Sequence, residues 1–85
     1  METSVEISMY PLSQAYEGLV LSFLERLNKH TDITVHTNGM STQVFGAFDA
    51  VFSAIQAEIK HEFGNPDKVV FVMKCVNADL SQYEG

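Results

Sequence analysis

The chain has 85 residues, one cysteine and a formal net charge of −6 at pH 7. This length allows one small domain, and the acidic balance argues against nucleic acid and against anionic membrane surfaces as partners. Because Cys75 is alone, an internal disulfide is excluded, which is typical of a reducing compartment.

The start of the chain has no signal-peptide pattern, and no apolar run approaches the about 20 residues of a membrane span. We therefore expect a cytoplasmic protein with no membrane partner. A domain of this size buries a small core, so we also expect a second subunit to stabilise it.

The first half of the chain predicts a strand followed by a helix. Residues 4–10 alternate between polar and apolar side chains, which indicates a half-buried strand that Pro11 ends. Apolar residues then recur at steps of three and four from Tyr16 to Leu27, which predicts an amphipathic helix with Ser13 as its N-cap. We expect this helix to end at residues 28–30.

The second half predicts two strands, a helix and a last strand. Alternation over 33–37 and 40–46 flanks Asn38-Gly39, which predicts a hairpin with a type I′ turn. A helical repeat ends at Phe63, before Gly64-Asn65-Pro66. The continuous apolar run 69–76 predicts a central strand covered on both faces. We expect one domain over 1–85, with a core at about 4–77 and a loose polar tail over 78–85.

This order of elements predicts an α+β, ferredoxin-like βαββαβ fold, in which two helices cover one face of a four-stranded antiparallel sheet. We expect the first and last strands to be central and the other sheet face to be open. Exposed valines on such a face indicate an interaction surface, and hence a homodimer. The residues expected on the open face are Glu6, Ser8, Tyr10, Thr34, His36, Val70, Val72, Lys74 and Val76.

The sequence offers few groups for catalysis. It has no C-x-x-C pair, no glycine-rich phosphate loop and no Cys/His spacing for a metal, and its one arginine, Arg26, falls on the polar side of the first helix. Cys75 is expected to point into the core. His36 could contact a ligand or serve as an ordinary sheet residue. We expect neither an enzyme nor a metal protein.

The densest group of polar side chains is the hairpin segment 37–46. Its Asn, Ser, Thr and Gln side chains supply uncharged donors and acceptors, and Phe45 and Phe48 lie at its end. This mixture suits a flat heterocycle stacked against aromatic walls. An ordinary polar edge hairpin has the same composition, so both interpretations stay open at this point.

Three segments, 6–12, 37–46 and 70–74, resemble the YkoF-like family of thiamine- and hydroxymethylpyrimidine-binding domains. The resemblance implies the ferredoxin-like fold and non-catalytic binding of thiamine or its hydroxymethylpyrimidine moiety, in transport or salvage. It implies that thiamine is bound as a ligand, with no cofactor. It also implies a homodimer that rebuilds the tandem arrangement of two-domain members, with a homotetramer as a further possibility. The alternative function is a protein-interaction or regulatory module that uses the open sheet face.

The resemblance also implies a ligand-binding site in the hairpin. Asn38, Ser41 and Thr42 are the first candidates for hydrogen bonds to the aminopyrimidine. Glu6 is a candidate partner for the thiazolium charge or for a ring nitrogen. The second candidates for hydrogen bonds are Gln43, Ser8 and Tyr10, and the candidates for the walls of the ring are Phe45, Phe48 and Met40.

Overall fold

The computed structural model describes residues 1–83 and confirms the predicted fold. The strands pair antiparallel in the order β2-β3-β1-β4, and both helices pack on one sheet face, which is the ferredoxin-like α+β arrangement. The elements are β1 (Glu2–Pro11), α1 (Tyr16–Leu27), β2 (Thr34–Thr37), β3 (Thr42–Ala47), α2 (Phe48–Phe63) and β4 (Val69–Val76).

The core lies between the two helices and the central strands β1 and β3. Val5 of β1 stands directly opposite Val44 of β3, and both side chains are buried. Phe23 of α1 and Ile55 of α2 pack against them from the helical layer. Each fully buried aliphatic or aromatic side chain contributes about 1.5–3 kcal/mol relative to exposure, so this layer carries most of the stability.

Strand β4 is an edge strand, and its prediction as a central, doubly covered strand is wrong. Within the described residues it pairs with β1 alone, while β1 and β3 occupy the centre. Cys75 lies opposite the buried Val5 but is exposed, so the expectation of a core cysteine is also wrong. The reason is that the helices pack over β1 and β3 and leave the end of β4 uncovered. The apolar run of β4 instead supplies residues to both sheet faces. Phe71 contacts Phe23 on the helical side, and Val70 and Val72 are exposed on the other side.

The hairpin between β2 and β3 closes without the predicted type I′ turn. That turn needs positive φ at both central residues, whereas no non-glycine residue among 1–83 has positive φ. The connection is a four-residue loop in which Oδ1 of Asn38 accepts hydrogen bonds from the N–H groups of Met40, at 2.8 Å, and Ser41, at 3.1 Å. The Asn38 side chain therefore holds the loop together with a backbone hydrogen bond of 3.1 Å from the Asn38 N–H to the Ser41 carbonyl oxygen.

The helix ends follow the predicted C-terminal signals more closely than the N-terminal one. Helix α1 ends at Leu27, one residue before the predicted end at 28–30, and α2 is followed by Gly64, as expected. Ser13 does not cap α1, because the helix begins only at Tyr16 and the Ser13 hydroxyl accepts from the Ala15 N–H instead.

The C-terminal segment, which the sequence predicted as a loose polar tail, is hydrogen-bonded to β1 through Ala78 and Leu80. The Ser4 hydroxyl donates to the carbonyl oxygen of Ala78 at 2.7 Å and accepts from the N–H of Leu80 at 2.9 Å. Leu80 and Tyr83 then lie beside Phe45. The remainder of the predicted tail, 84–85, lies outside the described residues.

A charged cluster joins the two helices, and Arg26, from the polar side of α1, lies at its centre. Its guanidinium pairs with Glu58, at 2.9 Å, and with Glu62, a carboxylate that is only 2% exposed. Nε2 of His30 lies 2.8 Å from the second oxygen of Glu58. Burial acts to raise the pKa of the Glu58 carboxyl, but the hydrogen bonds from His30 and Arg26 outweigh it and lower that pKa.

Candidate functional site: the hairpin cleft

The sheet has a notch beside the second half of β1. Strand β3 pairs with β1 only as far as Thr42 opposite Ile7, whereas β1 continues to Pro11 alongside β4. The loop 38–41 stands beyond the end of β3, and helix α1 passes underneath. Between these three parts lies a cleft of about 270 Å³, which we call the hairpin cleft. Its lining residues are Ile7, Ser8, Met9, Tyr10, Val20, Phe23, Leu24, Thr37, Asn38, Gly39, Met40, Ser41 and Thr42.

The size and walls of the hairpin cleft suit one small ring. Small-molecule pockets measure about 300–1,000 Å³, so this cleft of about 270 Å³ lies just below that range. Phe23 of the core lines it on the α1 side, together with Leu24. Met40, which is 88% exposed, lines it from the loop. A flexible methionine beside an aromatic ring can adapt to a flat ligand.

The polar groups of the cleft carry no formal charge at neutral pH, and several already have a partner. The hydroxyls of Thr37 and Thr42 lie 3.0 Å apart, so one of them donates a hydrogen bond to the other. The hydroxyl that accepts keeps its own proton free to donate to a ligand. Oδ1 of Asn38 is occupied by the loop, so its amide nitrogen is the group left for a ligand. The Ser41 hydroxyl donates to Glu6, so its oxygen can only accept.

The structure divides the predicted site residues among three places. Six of the ten line the hairpin cleft: Asn38, Met40, Ser41, Thr42, Ser8 and Tyr10. Three others, Glu6, Gln43 and Phe45, line a second cleft of about 330 Å³ on the open face, beneath Leu80 and Tyr83. Phe48 begins α2 at the far end of β3, where its ring contacts Phe52 at a centroid distance of 4.8 Å.

A comparison with protein-family models tests the resemblance to the YkoF-like family that the sequence suggested. A model of the YKOF-related family matches residues 2–77. The chain belongs to this family. No curated protein matches the chain.

Solved structures share the fold of this YKOF-related chain. A hypothetical protein from Methanocaldococcus jannascii is 25% identical, with a TM-score of 0.77, over 92% of this chain and 81% of that one. A "putative thiamine biosynthesis/salvage protein" from Thermotoga maritima is 12% identical, with a TM-score of 0.78, over 92% and 85%. A domain of unknown function from Bacillus cereus is 12% identical, with a TM-score of 0.74, over 93% and 78%.

Nothing in the sequence marks the part of the hairpin cleft that α1 and Met9 supply. Val20, Phe23 and Leu24 were assigned to the helical core, and helical periodicity alone cannot distinguish a core residue from a cleft wall. Met9 was interpreted only as one apolar residue of an alternating strand. Thr37 lay inside the segment that was singled out, and its pairing with Thr42 could have been expected from hairpin register.

Two classes of site have no support in the structure. Over residues 1–83, no group of three or more His, Cys, Asp or Glu side chains is arranged to hold a metal ion. The same part of the chain has no helix that is long and apolar enough to cross a membrane.

Proposed function

We propose that this chain binds thiamine or its hydroxymethylpyrimidine moiety without catalysing a reaction, and that the pyrimidine ring enters the hairpin cleft. The observation that carries the proposal is the chemistry of this cleft. It combines apolar walls with a few uncharged donors and acceptors in a volume of about 270 Å³. A neutral heterocycle with ring nitrogens and an exocyclic amine needs that combination.

Family membership supports the same ligand class. The chain matches the YKOF-related family over residues 2–77. The Thermotoga maritima protein with the same fold is named for thiamine biosynthesis or salvage, and a role in transport or salvage is our extension to this chain.

The surroundings of the cleft favour the cationic half of thiamine as well. The carboxylate of Glu6 lies next to the cleft through its hydrogen bond with Ser41, and its side chain is 41% exposed. The chain as a whole carries a net charge of −6. A thiazolium that extends from the bound pyrimidine would therefore meet a favourable potential.

The groups that line the cleft support the proposal of binding without catalysis. Its described lining includes the phenol of Tyr10 but no carboxylate, imidazole, amine or thiol. The free thiol, Cys75, lies on β4 and lines other surfaces. A nucleophile with an adjacent base is the usual requirement for covalent catalysis. The one carboxylate beside a cleft hydroxyl, that of Glu6 on Ser41, lies outside the described lining of the cleft.

We also propose that a second copy of the chain covers the open face, so that two copies form a homodimer, with a homotetramer as a further assembly. The side chains of Val70 and Val72 are 47% and 53% exposed on this face, and the Tyr10 ring beside them is 54% exposed. A contiguous exposed apolar patch indicates an interface. The alternative occupant is another protein, for which this chain would be a regulatory module.

Calorimetric titration with hydroxymethylpyrimidine and with thiamine tests the proposed function. We expect saturable heat with one ligand per chain, accompanied by a rise in the melting temperature. If folded protein shows neither heat nor a thermal shift at millimolar concentrations of both compounds, the proposal is wrong. Turnover of either compound would instead show an enzyme.

A further inference from the structure

Two hydrogen bonds at the ends of β1 show which neighbour each of its backbone groups faces. The N–H of Leu12 donates to the carbonyl oxygen of Lys68 at 2.9 Å, on the side of β4. The carbonyl oxygen of Met1 accepts from the N–H of Phe48 at 2.8 Å, on the side of β3. Successive residues of a strand direct their N–H and C=O groups to opposite edges. Even-numbered residues of β1 therefore face β4, and odd-numbered residues face β3.

Met9 is the first odd-numbered residue of β1 beyond the end of β3. The preceding one, Ile7, pairs with Thr42. The position opposite Met9 would belong to Met40, which has left the ladder for the loop and donates its N–H to Asn38. Over residues 1–83, no hydrogen bond to the Met9 N–H or C=O on this side is present. Both groups therefore face the hairpin cleft, which Met9 also lines.

The position of Pro11 supports this assignment. The sequence predicted that Pro11 would end the strand, since proline cannot donate to a ladder, yet it is the last residue of β1. As the next odd-numbered residue, Pro11 directs its nitrogen toward the notch and away from β4. No ladder hydrogen bond is lost at Pro11, and the next hydrogen bond toward β4, from the N–H of Leu12 to the carbonyl oxygen of Lys68, still forms.

We infer that the free N–H and C=O of Met9 recognise the ligand directly, as a strand residue recognises its antiparallel partner. Partly buried backbone groups in a cleft need a partner, and here the ladder does not supply one. The matching ligand edge carries an acceptor next to a donor. In a 4-aminopyrimidine, the ring nitrogen would accept from the Met9 N–H, and the exocyclic amine would donate to the Met9 carbonyl.

This inference rests on the proposed function and specifies its chemistry. The ligand class is a planar heterocycle with an amidine-like edge, which takes the place that the residue opposite Met9 would occupy in a longer β3. Side chains then contact the rest of the ring. The Ser41 oxygen can accept a hydrogen bond from it, and the Asn38 amide nitrogen can donate one to it. Phe23 and Met40 supply apolar contacts on the walls.

Amide hydrogen exchange of the ¹⁵N-labelled protein, with and without saturating hydroxymethylpyrimidine, tests the inference. Ser8 and Tyr10 are the internal controls, because their N–H groups face β4 and are paired in the ladder. Without ligand, the Met9 amide should exchange faster than either control. With ligand, its exchange should slow by about tenfold or more, while the controls change little.

A second measurement compares Met9→Pro with Met9→Ala. Both remove the side chain, but the proline also removes the N–H, at a position where a strand tolerates it. Met9→Pro should bind hydroxymethylpyrimidine at least about tenfold more weakly than Met9→Ala. If Met9→Pro does not fold, amide exchange of the wild type decides the question alone.

The outcomes separate the inference from the function. Slow exchange of the Met9 amide without ligand would overturn the inference, because that N–H would already be paired. Binding in the calorimeter with unchanged Met9 exchange would overturn the inference alone. If neither hydroxymethylpyrimidine nor thiamine binds, the proposed function is wrong and the inference is wrong with it.

Discussion

The Ser41 hydroxyl donates a hydrogen bond of 2.9 Å to Oε2 of Glu6, so the loop that borders the hairpin cleft is tied to the open sheet face. The other carboxylate oxygen of Glu6 lies 3.5 Å from Nζ of Lys74 on the edge strand. Glu6 therefore orients a cleft residue on one side and keeps a negative charge at the surface on the other.

This position of Glu6 predicts a difference between the two ligands. Glu6→Gln removes the charge that would attract the thiazolium, so thiamine binding should weaken by about 0.2–1 kcal/mol, the usual size of an exposed ion pair. Binding of the neutral hydroxymethylpyrimidine should change less. The measurement is the ratio of the two dissociation constants, with Glu17→Gln on α1 as the exposed control. An equal loss of binding free energy for both ligands would show that Glu6 does not contact the thiazolium.

The threonine pair inside the cleft predicts a larger effect. Thr42→Val keeps the shape of a buried side chain but removes a hydroxyl that lies 3.0 Å from the Thr37 hydroxyl. Hydroxymethylpyrimidine binding should weaken by about 1–3 kcal/mol, because a polar ligand atom would lose its partner in a largely dry site. Thr34→Val, an exposed threonine on β2, is the matched control. Identical affinities for the two variants would exclude Thr42 from the site.

The charged cluster between the helices predicts a cost in stability when its cation is removed. Arg26→Met leaves the carboxylate of Glu62 buried without its guanidinium partner. Breaking a buried pair in this way costs about 3–5 kcal/mol, and the partial exposure of Arg26 places the expected loss at the lower end. Urea unfolding measures it. The double variant Arg26→Met, Glu62→Met should recover part of the lost stability. If Arg26→Met alone leaves the free energy of unfolding unchanged, the charged cluster does not stabilise the fold.

The lowered pKa of Glu58 predicts how stability depends on pH. Because the folded-state pKa lies below the ordinary value of about 4.5, the ionised carboxylate stabilises the folded state above that value. This contribution should be lost as the pH falls from about 4.5 through the folded-state pKa. Urea unfolding at pH 7 and near pH 3 should show a smaller drop for Glu58→Gln than for the wild type. Glu25→Gln, at an exposed position of α1, is the control and should behave as the wild type.

The exposed valines predict the location of the subunit interface. Val72→Asp places a charge on the open face, so the protein should elute as a monomer or become insoluble. Leu21→Asp is the control, since Leu21 is 65% exposed on α1. Light scattering behind a sizing column measures the mass. A Val72→Asp dimer would show that the interface lies elsewhere.

The order and type of the elements could be predicted because each has a clear local period. The alternation around Val5 and the apolar repeat that ends at Phe63 both gave the right element, and the limits of β4 were predicted without error. The position of β4 in the sheet was not. A continuous apolar run indicates burial on both faces, but here an edge strand carries apolar residues for the helical core and for an open face.

The hairpin was predicted in place, but its closure was not, because Asn38-Gly39 has more than one way to turn. The Asn38 side chain can replace the backbone geometry of a type I′ turn by accepting two N–H groups. The packing of 78–83 was also unpredictable, since it depends on the Ser4 hydroxyl, more than 70 residues away in sequence. Such contacts leave no periodic signal in the chain.

The candidate site was predicted in part for the same reason. The hairpin supplied Asn38, Ser41 and Thr42 to the cleft as expected, because neighbours in sequence stay neighbours in a hairpin. Phe48 was grouped with them by sequence distance, although strand β3 carries it to the opposite end of the sheet. The backbone groups of Met9 become visible only when the register of β1 against both neighbours is known.

A structure of the protein with hydroxymethylpyrimidine bound tests the central claim most directly. We expect one ring in the hairpin cleft, between Phe23 and Met40, with its amino group and adjacent ring nitrogen toward Met9 and its edge within hydrogen-bond distance of Thr42 or Ser41. A ring bound on the open face beside Phe45 or against Phe48, with the hairpin cleft empty, would contradict the account.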